Sequence, residues 1–239
     1  MKVTLNLLYA AVVAVTLATP ARAATMFFDF GDTAQQTGGN YNNMTPAQNP
    51  LFNVIDSNGA GTGIGLEIGG FNELGPNLNG TQAPTGDAAM FDVQATRDNL
   101  FGHSDNFNIG SPRPLGEIEL TGLNPALAYD FAFFGSRTGV TDNRETKYTA
   151  TGANSSFALL NASANTSTVA VVPGILPTAG GTIAIRVEAG PNNNNGSKFF
   201  YLGAMRITSI PEPTAGLLLL SGAIGIVTLR RAPASRRHS

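Results

Sequence analysis

The chain has no cysteine, no tryptophan, two histidines and 13% charged residues in 239 positions. Without cysteine there are no disulfides, so a hydrophobic core must carry stability alone. Zinc is disfavoured for the same reason: outside the C-terminal tail the chain offers one histidine, His103, too little for a nitrogen and sulfur ligand set. His103 is also the one candidate for a histidine proton shuttle there. Its neighbours Ser104 and Asp105 do not make a triad by adjacency, because triad side chains converge from separated positions. It reads as a loop histidine, with a hydrolase acting through it kept as an alternative. The absent tryptophan removes the broadest stacking platform for a sugar, leaving Tyr41, Tyr148 and Tyr201.

Positive charge is scarce where it would matter for nucleic acid. The whole-chain balance is -2, but six of the 14 cations (Lys2, Arg22, Arg230, Arg231, Arg236 and Arg237) lie near the termini. The remaining body sets eight cations against fifteen carboxylates, a balance of -7. Phosphate backbones demand the opposite, so no nucleic-acid partner is expected.

What the chain does have are two apolar ends. "MKVTLNLLYAAVVAVTLATPARA" has one early cation, Lys2, an uncharged run from Leu5 to Leu17, and the small-x-small pattern Ala21-Arg22-Ala23. This is the layout of a secretory signal peptide over residues 1–23, which implies export through the Sec translocon. At the other end, "PEPTAGLLLLSGAIGIVTLRR" (211–231) has no charge from Thr214 to Leu229. At 1.5 Å per residue that is about 24 Å of helix, slightly short of a roughly 30 Å hydrocarbon core. Pro211 and Pro213 stop a helix from running in from the body, and the arginines behind favour the cytoplasmic side. The body therefore faces away from the cytoplasm.

Pro211, Glu212 and Pro213, the apolar helix 214–229, and the cations Arg230 and Arg231 together resemble the PEP-CTERM sorting signal of Gram-negative bacteria that make extracellular polysaccharide. The resemblance covers about 29 residues, and its order behind a signal peptide is more specific than any one part. It implies recognition and processing by an exosortase, an intramembrane cysteine protease. The implied route is an inner-membrane intermediate, then the outer surface or the extracellular matrix. A retained C-terminal anchor is the alternative.

Between these ends the periodicity is that of strands. Short alternating or aromatic runs occupy 26–30, 64–68, 115–120, 129–137, 145–152, 168–172, 182–189 and 198–207, separated by Gly, Pro, Asn or Ser. They predict an all-β, jelly-roll-like antiparallel β-sandwich over 24–210. Residues 87–100 have helical spacing, while 33–50 and 72–86 read as long polar connections. Leu123, Pro125 and Tyr129 keep the spacing of a tyrosine corner, in which the Tyr hydroxyl ties a strand to the preceding turn. With that segment, "FFDFGDTAQQTGGNYNNMT", "DNRETKYTATG" and "GGTIAIRVEAG" are similar to a recurring exported bacterial β-sandwich, galactose-binding-like in fold. That resemblance speaks to fold more than to ligand.

Binding candidates are few. Arg137 and Arg144 are planar cations able to engage acidic polysaccharide, with Tyr148 beside them in sequence. Asp98, Asp105, Asp142 and the "NNNNG" segment (192–196) supply oxygen for a structural calcium, although no run repeats the EF-hand pattern. Gly31-Asp32-Thr33 lacks the serine of a Gly-Asp-Ser hydrolase, and the "GAGTGIG" run (59–65) feeds a strand, which removes phosphate-cradling geometry. The expectation is a non-enzymatic exported protein of the cell envelope or matrix without a required cofactor. A calcium-dependent carbohydrate-binding module is the alternative.

Overall fold

In β5 (Leu115–Thr121) buried Gly116, Ile118 and Leu120 alternate with exposed Glu117, Glu119 and Thr121. The same period of two recurs in β10 (Ile183–Ala189), where Ile183, Ile185 and Val187 are buried between exposed Ala184 and Arg186. Successive side chains of a strand point to opposite faces, so each of these strands gives one face to a core and one to water.

The computed structural model describes residues 23–104, 107 and 111–211. The signal segment to residue 22, Asp105, Glu212, Pro213, the 214–229 helix, Arg230 and Arg231 lie outside the described residues. Among the described residues no helix is long and apolar enough to cross a membrane.

The chain forms an all-β sandwich. One sheet has the order β2-β1-β12-β6-β9, built from β1 (Thr25–Phe30), β2 (Tyr41–Met44), β6 (Leu127–Phe134), β9 (Ala170–Ile175) and β12 (Ala204–Pro211). The second has the order β3-β5-β10-β7-β8, adding β3 (Gly65–Gly69), β7 (Glu145–Thr151) and β8 (Ser155–Asn161). A two-stranded ribbon joins β4 (Leu100–Gly102) to β11 (Phe200–Leu202). From β5 onward the chain passes repeatedly between the large sheets. Their shared core includes Phe28, Phe30, Phe131, Phe133, Ile118, Leu120, Ile185 and Val187. Phe133 stacks on Tyr148 across it, ring centroids 4.7 Å apart. Each such buried side chain contributes roughly 1.5–3 kcal/mol relative to exposure, which is how a chain without disulfides holds its sheets together.

The fold departs from the sequence expectation in several places, and β8 corresponds to no expected run. Pairing is not wholly antiparallel, because β1 and β2 run parallel with Phe27 opposite Tyr41 and Phe30 opposite Met44. The 33–50 connection contains β2 and two 3-10 turns, Thr33–Gln35 and Pro46–Gln48. The 87–100 helix is interrupted: a 3-10 turn, Gly86–Met90, is followed by one helical turn, α1 (Val93–Thr96). The interruption is at Asp92, whose backbone is extended and whose side chain caps α1 by accepting from the Gln94 N–H. The 198–207 run divides at Gly203 into β11 and β12. Gly203 donates to the Phe134 carbonyl and accepts from the Phe30 N–H, and a Cβ there would come within 2.8 Å of the Asp98 carbonyl oxygen.

The tyrosine corner forms: the Asn124 N–H donates to the Tyr129 hydroxyl at 3.0 Å, and Tyr129 is buried. The two ends of the sandwich also meet. Ala24 N–H donates to Ser209 Oγ at 2.8 Å, and Ser209 N–H donates to the Ala24 carbonyl at 2.9 Å.

Candidate ligand-binding face

Arg144 enters β7 from the turn after Asp142. Its Nε donates to both Asp142 oxygens, at 3.0 and 3.1 Å, and its Nη1 donates to the Tyr201 hydroxyl. The guanidinium carbon also stands 5.3 Å from the Phe199 ring centroid, leaving the side chain 12% exposed. Asp142 in turn accepts from Asn195 Nδ2. Although desolvation opposes ionisation, hydrogen bonds from Asn195 and Arg144 hold the Asp142 carboxyl below its usual range. Arg137 is half-buried, close enough that its charge acts on the Tyr201 hydroxyl, and its Nη1 donates to the Thr138 carbonyl. The structure thus brings Arg137 and Arg144 together around Tyr201.

Tyr148 corrects the sequence expectation. It is fully buried, its ring is stacked on Phe133, and its hydroxyl donates to the Tyr201 carbonyl at 2.7 Å. A ring sealed between two sheets cannot stack on a ligand. Alternation within "ETKYTAT" puts Tyr148 on the same face as Thr146 and Ala150, and that face is the core. Tyr41 is likewise engaged, its hydroxyl accepting from the Asp92 N–H at 2.8 Å.

The asparagine-rich segment 192–196 turns its amides inward. Asn193, 2% exposed, donates to the carbonyls of Glu145 and Phe199, while the backbone N–H and Nδ2 of Asn192 donate to the two Glu145 carboxylate oxygens. Asn195 Oδ1 accepts from the Ser197 N–H. These groups pin the loop to β7.

Asp98, the remaining described calcium candidate, is buried and supports the end of β1. Its Oδ2 accepts from the Asp32 N–H at 2.6 Å, and its carboxyl lies so close to Gly31 that a Cβ there would meet Oδ2 at 2.2 Å. Asp29, also buried, accepts at Oδ2 from both the N–H and hydroxyl of Thr37. One oxygen of each, Asp29 Oδ1 and Asp98 Oδ1, has no hydrogen-bond partner among the described residues. Burial pushes the Asp98 carboxyl up to about 7, with the charges of Asp29 and Asp32 adding to it, and pushes Asp29 up to about 6. Among the described residues no group of three or more His, Asp or Glu is arranged to hold a metal ion.

His103 is not a surface loop residue. It is 1% exposed, its backbone pairs with Arg113, and Phe101, Phe107 and Phe199 surround its ring at centroid distances of 5.8–6.4 Å.

Exposed polar side chains line the outer face of the second sheet. Register makes three rows. The first runs Glu67, Glu119, Ala184, Thr151; the second runs Gly69, Glu117, Arg186, Thr149, Phe157; the third runs Leu115, Glu188, Lys147, Leu159. Across β3, β5 and β10 these rows line an open groove of about 330 Å³, walled by Glu67, Glu117, Glu119 and Arg186. Glu67 and Glu119 are directly opposite, an arrangement of like charges that weakens a strand pair. Lys147 is drawn aside by Glu188 at 3.3 Å and by the Phe157 ring at 5.1 Å. Carboxylate oxygens accept hydrogen bonds and a guanidinium donates several, so this groove can address a hydroxyl-rich or mixed-charge chain lying across the strands. The outward residues of "LGEIEL" and "TIAIRVEA" were legible by period two, but their adjacency depends on β5 and β10 pairing across more than sixty residues of chain.

The sequence matches no protein-family model and no curated protein. Among solved structures it is similar to TmCBM61 in complex with beta-1,4-galactotriose, at 10% identity over 61% of this chain and 78% of that one, with a TM-score of 0.26.

Proposed function

We propose that this chain is an exported, non-enzymatic display protein of a bacterial cell envelope or its polysaccharide matrix, sorted through its C-terminal segment. One observation carries the reading: the folded body fills the interval between the two targeting patterns and shares only Pro211 with them. β1 begins at Thr25, just beyond the small-x-small site ending at Ala23, and β12 ends at Pro211, where the Pro-Glu-Pro motif starts. Signal cleavage after Ala23 leaves Ala24 as the new terminus, and its nitrogen retains Ser209 Oγ as a partner. Cleavage after Ala23, or beyond the Pro-Glu-Pro motif, therefore leaves every strand of the sandwich whole. In the membrane the 214–229 segment acts as a stop-transfer helix presented to an exosortase, with Arg230 and Arg231 on the cytoplasmic side.

The test is cell fractionation of the full chain tagged in a body loop, comparing wild type with Pro211 and Pro213 both changed to alanine. The wild type is expected at the outer surface or matrix in a shortened form, and the variant full-length in the inner membrane. Both forms remaining full-length in the inner membrane would mean a retained anchor and would overturn the sorting reading.

A second reading, carbohydrate binding by the body, is favoured by the open groove on the outer face of β3, β5 and β10. It assigns Glu67, Glu117, Glu119 and Arg186 to hydroxyl recognition in place of Tyr148.

A further inference from the structure

Four strands lie at the edges of the two large sheets, and three of them are protected. On β3, Leu51 and Leu66 exchange backbone hydrogen bonds, and the Asn49 side chain acts as a surrogate strand, donating to the Ile68 carbonyl at 2.8 Å and accepting from its N–H at 3.0 Å. β2 is protected by its shortness, four residues, and its Asn43 and Asn42 side chains hold the neighbouring segments through the backbone N–H and carbonyl of Thr37 and Ile55. On β9, Pro173 has no N–H, Gly174 N–H is taken by Asp130, and Asn154 bonds the Gly174 carbonyl and the Leu176 N–H. Prolines, covering loops and interrupted pairing are how soluble sheets prevent edge-to-edge contact.

Although β9 packs beside β8 and Asn154 ties its start to Gly174 and Leu176, the middle of β8 has none of these protections. Its sequence, "SSFALLN", has no charge, no proline and no glycine, and its pairing with β7 runs unbroken from Ser155 to Asn161. The hydrogen bonds from Ala162 N–H to the Arg144 carbonyl and from Gly152 N–H to the Asn154 carbonyl fix which positions face β7. By alternation, the backbone groups of Ser155, Phe157, Leu159 and Asn161 point away from it. Among the described residues nothing bonds to the outward backbone of Phe157 or Leu159, residues that are 57% and 38% exposed.

We propose that β8 pairs antiparallel with β8 of a second copy of this chain, joining two five-stranded sheets into one. Self-complementarity selects this occupant. A two-fold axis at Ala158 overlaps all seven residues, sets Phe157 opposite Leu159 of the other copy, and lets the outward-facing positions bond to one another. No like charges meet. The nearest cation on this face, Lys147, is one strand further in, so the two copies of it stand about 14 Å apart, beyond a screening length of about 8–10 Å. The acidic rows of β3 and β5 lie at the opposite side of the sheet. The inference is independent of how the chain is exported.

The absence of native cysteine makes the test clean. At the axis, Ala158 and its mate form a non-hydrogen-bonded pair with Cα atoms about 4.5 Å apart, within disulfide reach. Ser156 and its own mate are four residues out of step, about 13 Å. The purified full chain in dilute detergent micelles, as Ala158→Cys or Ser156→Cys, is treated with mild oxidant and run without reductant. Ala158→Cys is expected mainly at twice the monomer mass and Ser156→Cys as monomer. Equal cross-linking of both, or of neither, overturns the proposal. Should Ala158→Cys not fold, sedimentation of the unmodified chain against Phe157→Lys decides: a dimer that becomes monomer supports β8 pairing, and a monomer in both overturns it. A monomer whose β8 amides resist hydrogen exchange also overturns it, because another stretch of the same chain then covers the strand.

Discussion

The loop end around Asn193 and the outer face across β3, β5 and β10 are both rich in polar side chains, and they use them in opposite ways. At the loop end, Asn192, Asn193, Asn195, Glu145, Asp142 and Arg144 are hydrogen-bonded to one another or to backbone. On the outer face, Glu67, Glu117, Glu119 and Arg186 are exposed, and none of them is in an ion pair among the described residues. The difference separates polarity that builds the fold from polarity that is free to meet something else. An asparagine-rich composition suggests sugar-binding loops, yet here the buried amides replace backbone partners that sheets would otherwise supply.

The largest expected effect concerns the buried carboxyls, which belong to the building class but are incompletely satisfied. Asp29 and Asp98 hold their protons more tightly folded than unfolded, with values raised to about 6 and about 7 from 3.8. Their contribution to stability is therefore complete below about pH 4 and is lost as pH rises through 6 and 7. For Asp98 the loss is on the order of 4 kcal/mol at about 1.4 kcal/mol per unit. Denaturant unfolding between pH 4 and 8 should show wild-type stability falling with pH and a flatter curve for Asp98→Asn. A wild type most stable at pH 8 would contradict this. Stabilisation by added calcium at pH 8, seen in wild type and lost in Asp98→Asn, would instead return Asp98 to its role as a calcium candidate.

A smaller effect compares the two regions directly. Asn193→Ala removes the Phe199 carbonyl's donor and one of two donors to the Glu145 carbonyl, which keeps the Gly190 N–H, and should cost roughly 2 kcal/mol in the same unfolding measurement. The triple change Glu117→Gln, Glu119→Gln and Arg186→Gln should alter stability by no more than about 0.5 kcal/mol. The same triple variant should be retained less well by matrix polysaccharide in co-sedimentation. Equal destabilisation by both sets would erase the distinction between the regions, and unchanged retention would remove the groove from function.

Much of the sandwich was legible because a strand with one wet face repeats every two residues. The strand expected at 26–30 is β1 to within one residue, and that expected at 115–120 is β5. β8 escaped detection because an edge strand need not alternate: Phe157 and Leu159 are exposed although apolar. β2 escaped because "YNNM" is strand-like only in the company of β1, Thr37 and Ile55. The tyrosine corner was readable from local spacing, since donor and acceptor are five residues apart. Tyr148 was not, because its burial depends on Phe133 and Tyr201, which other strands bring to it. For the same reason the outer-face groove exists only after β3, β5 and β10 have paired.

The most direct test of the account is the intact mass of the protein washed from the outer surface of cells producing the full chain. The expected result is one species that begins at Ala24 and lacks the apolar 214–229 segment, with the sandwich whole. A mass that still contains residues 1–23 or the complete C-terminal segment would contradict it.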